Sequence, residues 1–178
     1  MRTLILLLLI SQTICAQKYY TRTGLTEFKA SIDAFEPVEA NNNSSSVILK
    51  INTGDIAALI PINAFKFKVA LMQEHFNENY MDSYKFPKTT FKGKIKNFDK
   101  ENFTSKEKHL IQGSLTIRGI SKNINTWAKI SRKNDFIIIN SNFSVKPEDF
   151  GIKIPSIVRK KIAKKINITL NYELKEKK

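Results

Sequence analysis

The chain has 178 residues, room for one domain of ordinary size built on a single core. Its 30 Lys plus Arg against 16 Asp plus Glu give a formal charge of +14, mostly as lysine spread along the sequence. The expected exterior is a solvated basic one, which an anionic membrane face would attract weakly through a salt-sensitive field. One cysteine and two histidines leave little material for thiolate or metal chemistry, and no basic stretch interleaved with aromatics points to nucleic acid.

The first residues have the layout of a secretory leader: Met1-Arg2, an apolar run from Leu4 to Ile10, then polar and small residues ending Cys15-Ala16. The run is far shorter than the roughly 20 apolar residues of a spanning helix. Cleavage after Ala16 is expected, leaving a mature domain 17–178 exported to the periplasm or secreted. Cys15 is the only cysteine, so that cut leaves no thiol. Lipid attachment at Cys15 is the alternative, and it calls for small residues where Thr13-Ile14 stand.

Beyond the leader, apolar residues recur at every second position, the period of half-buried strands. Phe28, Ala30 and Ile32 share one face, and Val47, Leu49 and Ile51 share the next. The polar tract Asn41-Asn42-Asn43-Ser44-Ser45-Ser46 between them is expected to be a loop tip. Phe65 pairs in parity with Phe67. Phe91 pairs with Ile95, opposite Lys92, Lys94 and Lys96. Ile111, Leu115 and Ile117 align with Gly113, and Gly119 marks a turn. Ile137, Ile139 and Phe143 follow, with Asn140 and Asn142 opposite. The longest alternation is Ile166, Ile168, Leu170, Tyr172 and Leu174.

Two stretches depart from this period. Val69, Met72, Phe76 and Tyr80 fall at steps of three and four, predicting an amphipathic helix over 69–80 with Met72 and Phe76 turned inward. A second helix is expected over 156–165, after Pro155. Many short alternating strands and one or two helices predict an antiparallel sandwich or closed barrel.

The supply of catalytic groups is thin. His75 has no second histidine one helical turn away, which excludes the two-histidine zinc motif, and His109 lies more than one strand from it. No Gly-x-Ser-x-Gly elbow or glycine-rich phosphate loop occurs, and Glu148-Asp149 sits in a turn context beside Pro147 and Gly151. A non-catalytic protein without metal or cofactor is the expectation.

Three segments carry a resemblance. Phe76 to Gly93 contains a helix end, Asp82-Ser83, Phe86-Pro87 and Thr89-Thr90-Phe91. Gly113 to Lys122 reads Gly-Ser-Leu-Thr-Ile-Arg-Gly-Ile-Ser-Lys. The third is Asp149-Phe150-Gly151-Ile152. In order and spacing the set resembles the YceI-like family. The chain departs from it at Met72-Gln73-Glu74-His75-Phe76, where many relatives have Arg-Asp-x-His-Leu, and at the opening strand, which lacks a His-x-Gly element.

The resemblance implies an all-β, eight-stranded antiparallel lipocalin-like barrel with one or two short helices and an apolar channel for a polyisoprenoid or fatty-acyl chain. The residues expected to line it lie on the apolar parity of their strands: Phe65, Phe67, Phe91, Ile95, Leu115, Ile117, Ile139 and Phe143, with Met72 and Phe76 from the helix. The expected partner is an apolar small molecule, bound by a monomer or homodimer. The competing expectation is a structural or stress-related envelope protein whose barrel is filled and takes no ligand.

Overall fold

The computed structural model describes residues 17–32, 36–99 and 107–177; the expected leader 1–16 lies outside them. The described residues form nine strands: β1 (Lys18–Ser31), β2 (Glu39–Lys50), β3 (Asp55–Pro61), β4 (Lys66–Phe67), β5 (Lys88–Ile95), β6 (Lys108–Ile117), β7 (Ile120–Lys133), β8 (Phe136–Val145) and β9 (Ile162–Glu176). All pairings are antiparallel. The order β1-β9-β8-β7-β6-β5-β3-β2 closes through β1–β2, so eight strands make a barrel and two-residue β4 adds to β2. Closure leaves the barrel no free edge on which another chain could template.

The two-residue period holds along the long strands, apart from the register shifts of β1 and β2. Val47, Leu49 and Ile51 are buried; so are Ile137 and Ile139, while Lys92, Lys94, Asn140 and Asn142 face water. At the β6–β7 turn Ile117 pairs with Ile120, and Arg118 (φ 49°) and Gly119 (φ 78°) both take the left-handed backbone that a tight two-residue hairpin requires.

Among the described residues only one α-helix forms, α1 (Ala70–His75), and it continues as a wider π-helical turn over Phe76–Tyr80. The second helix expected over 156–165 does not exist. Four-residue turns bridge 155–161, with Val158 N–H donating to Pro155 O and Lys161 N–H to Val158 O, and β9 begins at Ile162. The reason is tertiary: Ser31 at the end of β1 pairs with Ile162, and the ladder claims a backbone that a helix would have needed.

The polar tract Asn41–Ser46 is not a loop tip but the middle of β2. Asn42 and Ser45 are fully buried. The Asn42 side-chain amide donates to Pro61 O at 2.7 Å, and Ser45 Oγ lies 2.8 Å from Thr26 Oγ1, so neither is left without a partner. The β1–β2 register shifts on both sides of Gly24, and Ser45, three residues from Asn42, faces inward as Asn42 does.

Side chains fill one end of the barrel completely. Leu49, Ile130, Ile137 and Leu174 are 0% exposed there, packed with Tyr19, Ile51, Ile95 and Ala128. A smaller cluster of Ala40, Ile60, Ile62, Phe65 and Met81 gathers near the other end, against Phe28, Phe67 and Phe76.

Candidate functional site

Between the two clusters lies an apolar cavity of about 600 Å³ that opens at the end opposite the filled core. That volume falls in the roughly 300–1,000 Å³ range of small-molecule sites. Its floor is the top of the core: Ile56, Ile111, Ile139 and Tyr172 belong to the packed cluster and also line the cavity. Phe91 completes the floor. Gly93 and Gly113 face one another across β5 and β6, and a Cβ on either would fall 2.6–2.7 Å from the Phe91 ring. The ring therefore lies over the glycine pair, where any larger residue would push it up into the cavity.

Four phenylalanines form the wall beneath the helix. Phe76 stacks on Phe28 at 5.3 Å between centroids and meets Phe67 at 5.1 Å and Phe65 at 5.5 Å. Such pairs contribute about 0.5–1.5 kcal/mol each beyond their area. A helix of six residues is unstable alone, and α1 has no side-chain N-cap. Its position rests on this aromatic packing and on Met72, which also lines the cavity.

Besides Thr89 and Tyr80, two hydroxyl clusters interrupt the apolar wall. Thr26 Oγ1 lies 2.9 Å from the Tyr172 hydroxyl and 2.8 Å from Ser45 Oγ; across the barrel, Thr126 Oγ1 lies 3.0 Å from Ser141 Oγ, which donates to Trp127 O at 2.9 Å. These groups satisfy one another. Burial pushes the Tyr172 phenol above its ordinary value, and the hydrogen bonds from Thr26 and Ser45 only partly offset that. Among the described residues, ionisable side chains reach the cavity only as Glu36, His75, Lys161 and the phenols of Tyr80 and Tyr172. No group of three or more His, Cys, Asp or Glu that could hold a metal occurs among the described residues.

Nine of the ten residues singled out from sequence line this one cavity: Phe65, Phe67, Met72, Phe76 and Phe91, with Leu115, Ile117, Ile139 and Phe143. The tenth, Ile95, does not. It is 1% exposed in the filled core, because parity points it inward but its place along β5 puts it below the floor. Sequence reasoning did not single out Phe28, although Phe28 shared an inward face with Ala30, or the hydroxyls Thr26, Thr126 and Ser141, which carry no apolar signal.

The three motif segments meet beside the mouth. The Phe86 ring lies against Gly119, and Arg118 Nη1 donates to Gly151 O at 2.8 Å. Phe86-Pro87, Arg118-Gly119 and Phe150-Gly151 thus brace one another, and the segment Phe150–Ile152 contributes Phe150 and Ile152 to the cavity wall.

The fold is shared with solved structures. A polyisoprenoid binding domain from Saccharophagus degradans, implicated in plant cell wall breakdown, matches with a TM-score of 0.76 at 12% identity, over 90% of this chain and 98% of that one. BcnA of Burkholderia cenocepacia matches with a TM-score of 0.70 at 14% identity, over 84% and 95%. The YCEI protein of Campylobacter jejuni matches with a TM-score of 0.65 at 23% identity, over 81% and 88%. No curated protein is similar enough in sequence to match. The model of the YceI-like domain matches residues 15–174, nearly the whole chain, and on that match the chain belongs to the YceI-like family.

Proposed function

We propose that the protein binds and carries an apolar lipid-like molecule, a polyisoprenoid or fatty-acyl chain, in its barrel and performs no covalent chemistry on it. The observation that carries this reading is the cavity itself, an apolar space of about 600 Å³ in whose wall the hydroxyls of Thr26, Tyr172, Thr126 and Ser141 are already hydrogen-bonded to neighbouring hydroxyls. A filled barrel, as a purely structural envelope protein would have, is the opposite arrangement. Family membership and the Saccharophagus domain, described as polyisoprenoid binding, point the same way. Burying about ten methylenes at roughly 0.8 kcal/mol each gives on the order of 8 kcal/mol before ordering costs, enough for at best about micromolar affinity without a headgroup contact. An exported carrier of this kind would meet such molecules at the cell envelope.

The test is extraction of the protein, purified from its native host, with organic solvent followed by mass spectrometry. A lipid in near-stoichiometric yield is the expected result. An empty extract, together with no uptake of added prenyl or acyl chains, contradicts the proposal.

A further inference from the structure

Exposed apolar side chains are not scattered evenly over this molecule. Of eight large ones among the described residues, six lie at the cavity's open end: Ile32, Val69, Leu71, Tyr84, Ile120 and Ile157. They come from separate segments: the end of β1, the start of α1, the loop before β5, the β6–β7 turn and the loop before β9. Ile157 is 86% exposed and Leu71 56%. Converging apolar groups kept in water around a mouth mark a surface that meets something apolar.

The same rim is basic on one side. Residues 153–165 carry Lys153, Arg159, Lys160, Lys161, Lys164 and Lys165 and no acid. The Ile32 N–H donates to Lys161 O at 3.3 Å, which sets the basic arc beside the exposed isoleucine, and Val158 and Lys161 line the mouth itself. Among the described residues no carboxylate forms an ion pair with this arc. The acids at this end, Glu36, Glu74, Glu78, Asp82, Glu148 and Asp149, come from the β1–β2 connection, the helix and the loops that follow the helix and β8.

We propose that this rim docks on the surface of an anionic bilayer. Ile157 and Leu71 enter the boundary between headgroups and acyl chains, and the lysines face lipid phosphates. The cavity mouth then opens onto the membrane, and an apolar chain passes between bilayer and barrel without crossing water. The inference rests on the reading of the cavity as an apolar-ligand site and supplies its partner.

Sedimentation of the full chain with vesicles tests it, comparing phosphatidylglycerol mixed with phosphatidylcholine against phosphatidylcholine alone. Wild type and variants share residues 1–16, so their differences report on the rim. Wild type should bind the anionic vesicles in a salt-sensitive way, and K160Q/K164Q/K165Q should weaken binding about 100-fold, from roughly fivefold per cation. Ile157→Ser should cost about tenfold more. None of these residues lines the cavity, so uptake of an apolar fluorescent probe in vesicle-free solution should be unchanged. Variants that bind anionic vesicles as wild type does overturn the docking. So does full competition by a soluble anionic polysaccharide with no effect of Ile157→Ser, which would identify the rim as a polyanion site. Failed probe uptake with vesicle docking intact counts against the cavity reading alone.

Discussion

The two halves of this barrel follow one side-chain rule and reach opposite results. Around Leu49, Ile130, Ile137 and Leu174 the inward residues of neighbouring strands meet and exclude all solvent. Toward the other end the inward residues remain apolar, but Phe28, Phe67, Phe76 and Phe143 are only half-buried and stand around a space. The difference arises from what covers each end. The filled end closes on its own aliphatics, whereas the open end is partly roofed by a short helix that reaches the wall through aromatic rings. One half supplies stability and the other leaves room for a ligand. Stability and affinity should therefore separate under mutation.

The largest effect is expected in the filled half. Leu49→Ala should destabilise the protein by about 2–5 kcal/mol in denaturant unfolding, the range for a buried leucine whose site cannot collapse, while apolar-probe affinity at native conditions changes little. Equal losses in stability and affinity would show that the halves are not independent.

Phe76→Ala should cost less, about 1–3 kcal/mol, because the ring is half-buried and borders space already open, yet it should weaken probe binding clearly. A stability loss of the size seen for Leu49 would mean that this wall is core.

Tyr172 sits where the halves meet, and Tyr172→Phe should cost about 1 kcal/mol through loss of its hydroxyl partners. The sign of its pH dependence follows from the raised phenol. Its contribution is intact below the ordinary tyrosine value of 10.0 and is lost as pH rises from there through the higher value of the folded state. Wild type should lose stability in that alkaline window more steeply than Tyr172→Phe, and parallel unfolding profiles would contradict this.

Much of this division was legible in the sequence, though not its height along the barrel axis. Alternation on β2, β5, β6, β8 and β9 gave the inward faces, but a period of two carries no depth, so Ile95 and Phe91 looked equivalent although one lies below the floor and the other forms it. The tract 41–46 misled for a different reason. Asn42 and Ser45 point inward as polar residues because their partners, Pro61 O and Thr26, arrive from other strands. At 156–165 local spacing suggested a helix, and pairing with Ser31 overrode it. The misses at 41–46 and 156–165 trace to long-range contacts, whereas the turn at Arg118-Gly119 and the inward face of the helix at Phe76 show in local chemistry and period.

The central claim is that the open half holds an apolar chain through the shape of its wall and not through an ionisable group. Its most direct test is titration of fatty-acyl probes of increasing length into wild type, Phe143→Trp and His75→Ala. Phe143 lines the cavity from β8, so the larger ring should narrow it and weaken long probes more than short ones. His75, exposed at the rim, should be replaceable with less than about twofold change, well under the tenfold that 1.4 kcal/mol represents. Probe binding that ignores Phe143→Trp and disappears with His75→Ala would contradict the account and make the helix a polar binding site.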